Sequence, residues 1–132
     1  MHTSYLPMHE NEISEIIIGK CLDIHKKYGP GLLESFYDNC LYNKLLDTGL
    51  KIERQKPIYV TDENIKHKKY YKIDFLVEDK VVVELKSVRC FAPVHNAQLL
   101  TYIKILNKKL GLLINFNRAT LKEGIKRVVN GI

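Results

Sequence analysis

The chain has 132 residues, 45% of them hydrophobic and 27% charged. That is the size and makeup of a single domain, residues 1–132, whose core needs no disulfide or structural zinc. No apolar run reaches the ~18 residues of a membrane span. Met1–Ser14 carries two acidic residues and no basic ones, so no secretory leader is expected. The scattered Cys21, Cys40 and Cys90 form no CxxC pair and read as the reduced thiols of a cytoplasmic protein. Lysine and arginine number 21 against 15 acids, a net charge of +6. The excess lies in residues 67–132, with 13 basic and 5 acidic side chains against 8 and 10 in residues 1–66. A basic half favours a polyanion such as nucleic acid, and on charge alone a solvated lysine-rich surface serves equally well.

In chain order, residues 1–10 are expected to be a poorly ordered segment. Ile13, Ile16, Ile17, Cys21, Ile24 and Tyr28 recur at helical spacing, which predicts a helix from about Asn11 to Tyr28, stopped by Gly29-Pro30-Gly31. A second helix carries Leu33, Phe36, Tyr37, Cys40, Leu41 and Leu45 and closes at Gly49. Lys51–Thr61 is extended, with Pro57 marking an edge or bend, and Asp62-Glu63-Asn64 is a turn. Tyr70–Val77 alternates, which puts Tyr71, Ile73, Phe75 and Val77 on one face and Tyr70, Lys72, Asp74 and Leu76 on the other. Val81–Val88 is a β-branched central strand. Pro93 opens a third helix reaching about Asn107, Leu110–Phe116 is a short strand, and Leu121–Val129 reads as a terminal helix. The order is that of an α/β sandwich, a hairpin at its centre and a last strand reached by a helical crossover.

Two strands that should be core carry charge. Glu84 and Lys86 interrupt Val81–Ser87 and, two apart, share a face. If Glu78-Asp79-Lys80 is a three-residue loop, Asp74 stands directly opposite Glu84, Cβ atoms roughly 5 Å apart. Like charges so placed are destabilising, and half-buried carboxylates cost more. A divalent cation, Mg²⁺ or Mn²⁺, held by the two carboxylates with waters and a backbone carbonyl would cancel the charge. The plain alternative is an ion pair of Lys86 with Glu84 or Asp74. A two-residue turn would instead send the acids to opposite faces. On the third helix His95, Gln98 and Tyr102 form one stripe that could be aimed at this cluster, and on the second Glu34 and Asp38 are four apart.

Gly31-Leu32-Leu33-Glu34-Ser35-Phe36-Tyr37 fits the pattern of the GxxExxY family, small prokaryotic proteins of the PD-(D/E)xK nuclease superfamily. The chain resembles that family further through Ile73–Glu78, Val83–Ser87, His95–Tyr102, Gly111–Phe116 and Gly124–Asn130, nearly its whole length. The resemblance implies a three-layer α/β/α restriction-endonuclease-like core, with a central mixed sheet of four to five strands flanked by helices. By the same resemblance Asp74 matches the first acidic position, Glu84-x-Lys86 the (D/E)xK, Glu34 the acid of the preceding helix and Gln98-x-x-x-Tyr102 a helical QxxxY. Ile73 departs from the signature, which has proline there.

The expected activity is a cytoplasmic, Mg²⁺-dependent phosphodiesterase acting on nucleic acid, DNA in preference to RNA, in nucleic-acid processing or repair. Asp74, Glu84 and the Leu85 carbonyl would hold the metal, with Glu34 joining through a second metal or a water. Lys86 would position the attacking water and stabilise charge on the phosphate. Gln98 and Tyr102 would orient Lys86 or touch the phosphate, and Lys66, Lys68, Lys69 and Lys72 would track the backbone. No membrane partner is expected, and a homodimer is compatible with the reading. The rivals are a binding module that keeps the fold without catalysis, and a metal or nucleotide sensor; retention of all three acids favours the enzyme.

Overall fold

The computed structural model describes residues 7–63 and 69–131. Helix α1 spans Glu10–Tyr28 and α2 Glu34–Leu46. Strands β1 (Ile52–Val60), β2 (Lys69–Val77) and β3 (Val81–Lys86) follow, then helix α3 (Pro93–Ile105) and strand β4 (Leu110–Asn115). A 3-10 turn, Leu121–Gly124, leads into β5 (Ile125–Val129). Residues 1–6 lie outside the description. His9 caps α1 by accepting the Asn11 N–H on Nδ1, while Glu12 takes the His9 N–H, so two otherwise orphaned donors are satisfied.

The five strands form one sheet in sequence order, antiparallel throughout except for the parallel β3–β4 pair that α3 bridges. On one face α1 and α2 set Ile13, Ile17, Ile24, Tyr37, Leu41 and Leu45 against Phe75, Val83, Leu85, Leu112 and Ile114. On the other α3 sets Leu99, Tyr102 and Ile103 against Ile73, Leu76, Val82, Leu113 and Val128. This is the three-layer, restriction-endonuclease-like arrangement with its mixed sheet of five strands. β3 and β4 are covered on both faces, which is why they read as continuous apolar runs. Among the described residues no helix is long and apolar enough to cross a membrane.

One element differs from the expectation. Leu121–Val129 is not a helix; its second half pairs as β5 with β4, Val128 lying opposite Gly111. Leu121, Ile125 and Val128 mimic helical spacing, but Gly124 interrupts that pattern and the β-branched Ile125, Val128 and Val129 suit a strand. The sheet edge left open by β4 decides the outcome, since β5 satisfies its hydrogen bonds and buries Val128 against α3. Gly124 is required here, because a Cβ at that position would lie 2.1 Å from the Asn115 carbonyl oxygen.

The contrast with Gly19, around which no atom lies within 4 Å of an added Cβ, gives a test. Gly124→Ala should cost about 2 kcal/mol or more, since backbone and not a movable side chain must yield. Gly19→Ala in the middle of α1 should be neutral or stabilising by up to ~1 kcal/mol. Urea unfolding midpoints of the two variants check both signs.

Candidate functional site

The β2–β3 hairpin has the three-residue loop Glu78-Asp79-Lys80, with Phe75 opposite Val83 and Val77 opposite Val81. Glu78 and Asp79 both take left-handed backbone, φ 54° and 55°, in a loop where glycine is the usual choice. The regular ladder runs only as far as Phe75 and Val83. At the next position side chains replace main-chain rungs: the Asp74 N–H donates to Glu84 Oε1 at 2.9 Å, and the Leu85 N–H donates to Asp74 Oδ2 at 2.7 Å. The two acids are therefore stitched into the seam between the central strands.

The alternation expected for β2 fails at this point. Phe75 and Val77 pack under α1 and α2, but Ile73 packs with Leu76 under α3. β1 changes face in step. Pairing between β1 and β2 lapses at Gln55 and Asp74, and Gln55 is left-handed with φ 52°. A paired irregularity of this kind re-aims side chains, and Asp74 is the one re-aimed. Gln55 Nε2 donates long bonds of 3.4 Å to both Asp74 Oδ1 and Asp38 Oδ2.

Above Asp74 opens a cleft of about 450 Å³ lined by Glu34, Ser35, Asp38, Asn39, Arg54, Gln55 and Asp74. Glu34 is the first residue of α2, at the positive end of the helix dipole. Its loop is fixed by Tyr37, whose hydroxyl donates to the Gly29 carbonyl (2.6 Å) and accepts the Leu32 N–H (3.1 Å) while the ring stacks on Phe116. Gly31, with φ 98°, makes the turn between them. The Gly31-x-x-Glu34-x-x-Tyr37 spacing is thus a device for presenting Glu34. Asp38, one turn on, is buried and neutralised by Arg54, whose Nε and Nη2 donate to Asp38 Oδ1 at 3.0 and 2.7 Å. Arg54 also donates to Asn39 and lies over the Tyr42 ring. Sequence spacing did not single out Arg54, Gln55 or Asn39; the β1–β2 register, which sets Arg54 opposite Phe75, brings Arg54 and Gln55 to the cleft, and Asn39 comes with α2.

Glu84 shares the α3 face with Val82, and the Tyr102 phenol stands within its field, steadied by a side-chain hydrogen bond with Gln98. Burial first, then the Glu84 charge, raises the Tyr102 pKa. Lys86 is half-buried beside the pair. His95 is occupied as a cap, accepting the Ala92 N–H on Nδ1 at 3.1 Å. Lys72 is exposed on β2, and Lys69 opens that strand opposite Val60. Lys66 and Lys68 lie outside the described residues.

Electrostatics single out the pair. Burial, reinforced by Asp38 and Glu34, pushes Asp74 up to about 6 against the Leu85 hydrogen bond. Burial and then Asp74 itself push Glu84 up to about 8, with Lys86 pulling the other way. Glu34 is raised by burial and by Asp38, opposed by Lys86 and His95. None of the ion pairs among the described residues includes Asp74, Glu84 or Glu34. Removing a carboxylate from water costs several kcal/mol, and one half-exposed lysine returns about 1 kcal/mol or less. Two carboxylates and a carbonyl are a hard-oxygen donor set of the kind Mg²⁺ uses, waters and phosphate completing the shell. The residues fit such a cation. Among the described residues no three His, Cys, Asp or Glu side chains gather as a metal cluster.

The PD-(D/E)XK nuclease superfamily profile matches residues 11–128, and the chain belongs to that superfamily. The crystal structure of SSO0001 is similar over 99% of this chain and 71% of that one, at 13% identity and a TM-score of 0.46. No curated protein matches the chain.

The raised carboxyls set the sign of a pH effect. Between the unfolded values near 4 and the folded values near 6 and 8, the native state holds more protons than the unfolded one. Stability of the metal-free protein should therefore fall as pH rises from about 4 to 8 and level off above. Asp74→Asn with Glu84→Gln keeps the hydrogen bonds and removes the titration, so its melting temperature should stay flatter over that range. Melting curves at a series of pH values in EDTA decide the matter; equal slopes in the two proteins would contradict it.

Proposed function

We propose that the protein is a metal-dependent nuclease that hydrolyses phosphodiester bonds of nucleic acid, with DNA as substrate, in nucleic-acid processing or repair in the cytoplasm. The observation that carries this reading is the Asp74–Glu84 pair in the β2–β3 seam, Glu84 buried and Asp74 half-buried, ionically unpaired among the described residues and flanked by Lys86. Within the superfamily we assign the chain to the GxxExxY group, a reading that the Gly31-x-x-Glu34-x-x-Tyr37 spacing supports. A divalent cation held by Asp74, Glu84 and the Leu85 carbonyl would polarise a phosphate oxygen and lower the pKa of a bound water.

The chain's own residues do the rest. Asp74 and Glu84 are held in place by the hydrogen bonds they accept, so little reorganisation is needed when substrate arrives. Lys86 places a positive charge where the phosphate gains negative charge and orients the attacking water. Glu34, presented at the rim of the cleft, holds a second water. Gln98 and Tyr102 brace the Glu84 side from α3, and Arg54, paired with Asp38, offsets part of the charge that Asp38 sets against Asp74. Lys72, with Lys68 and Lys69 of the same stretch of sequence, provides phosphate contacts that track the backbone.

Two measurements test this. Mg²⁺ or Mn²⁺ should raise the melting temperature of the unaltered protein and leave Asp74→Asn and Glu84→Gln unmoved, because a ligand of the native state stabilises by mass action. Lys86→Ala should lose cleavage by 100-fold or more yet bind DNA within about 2-fold, since the work of Lys86 is done on the transition state. Cleavage of single-stranded, duplex, flapped and RNA substrates by purified protein reads the second effect. A protein that binds DNA but cuts none of these with either metal is a binding module.

A further inference from the structure

The β1–β2 ribbon continues outward from the acidic cleft and carries two large aromatic side chains in the open. Tyr59 and Tyr70 are direct partners in the register, with ring centres 6.1 Å apart and planes inclined by 46°. They keep 61% and 59% of their surface exposed. A cross-strand aromatic pair is a common strand arrangement, and this one leaves its ring faces open to solvent instead of covering them with a helix.

Their position follows from the face change at Gln55 and Asp74. Beyond that point Pro57, Tyr59, Tyr70 and Lys72 lie on the side of the sheet where Arg54 and the cleft lie, while Ile58, Tyr71 and Ile73 turn to α3. Tyr70 is four residues from Asp74, or ~13 Å along the strand at ~3.3 Å per residue. Lys72 stands between them and is exposed.

We propose that this face is a stacking platform for an unpaired strand of nucleic acid, its bases lying on Tyr59 and Tyr70 and a phosphate meeting Lys72 on the way to Asp74. The inference rests on the nuclease reading and narrows its substrate to a single strand, or to a duplex with an unpaired flap or end. A duplex keeps its base faces inside the stack, and only unpaired bases offer them to a tyrosine. The flanking lysine and the basic half of the chain complement the phosphates. Edge-to-edge pairing with a second copy is disfavoured, because Pro57 takes a donor out of the edge strand β1.

The test measures anisotropy of labelled oligothymidine and of a blunt DNA hairpin with the full chain in EDTA. Tyr59→Ala with Tyr70→Ala should weaken single-strand binding ~10- to 100-fold and duplex binding less than about 2-fold. The paired Phe variants should bind as the unaltered protein does. With that protein, ultraviolet crosslinking of an iodouracil-substituted oligonucleotide should map to Tyr59 or Tyr70, which needs no variant to fold. Unchanged single-strand binding by the Ala pair, equal loss on both probes, crosslinks confined elsewhere, or a dimer in light scattering that the Ala pair dissolves would each overturn the platform. If binding depends on the tyrosines but Mg²⁺ brings no cleavage, the platform stands and the nuclease reading fails. If the protein cuts and the Ala pair cuts single strand and duplex as before, the reverse holds.

Discussion

The arrangement of this molecule turns on two hydrogen bonds in which carboxylates take the place of main-chain carbonyls between the central strands. Asp74 accepts the Leu85 N–H and Glu84 accepts the Asp74 N–H, so each acid supports the strand that carries the other. The Asp74 and Leu85 N–H groups keep hydrogen-bond partners through the substitution, and every buried side-chain polar atom among the described residues has one too. What remains uncompensated is charge. Two carboxyls share a seam from which water is largely withdrawn, with a single lysine near them, and both titrate well above the ordinary range.

Much of the fold exists to hold that seam. α1 and α2 cover one face and α3 the other, so that the acids are desolvated from both sides. Asn115 closes the end of β4 by accepting the Val88 and Asn117 N–H groups and donating to the Val88 carbonyl, which anchors the segment between Lys86 and α3. Gly111 lets α3 come close, since a Cβ there would meet the Leu99 side chain at 2.9 Å. A site built on strand interiors and braced in this way keeps its geometry better than one carried on loops.

Where sequence and structure agree, the reason is a short-range rule. The loop Glu78-Asp79-Lys80 sets the β2–β3 register, and that register brings Asp74 and Glu84 next to each other across the seam, where each accepts a backbone N–H of the opposite strand. Gly31, Glu34 and Tyr37 are legible because a turn, a helix start and a buried tyrosine act within seven residues. Where they part, the cause is long-range. β5 took the place of a helix because the free edge of β4 outweighed a helix-like spacing of three residues. The face change in β2 could not be seen because it depends on Gln55 in another strand adopting left-handed backbone. Arg54 reaches Asp38 only through that same strand pairing. Asn115 carries no sign of its role within its own strand, because its partner lies in a loop 27 positions earlier.

If the seam is a cation site, binding must displace the proton that burial retains on the pair, because ligand oxygens coordinate as carboxylates. Calorimetric titration of Mn²⁺ near pH 7 in two buffers of different ionisation enthalpy counts that proton directly. The account predicts release of about one proton per protein at pH 7, rising above one as pH is lowered towards 6 and absent from Asp74→Asn with Glu84→Gln. Binding with no proton released, or equal release by the doubly substituted protein, would contradict it.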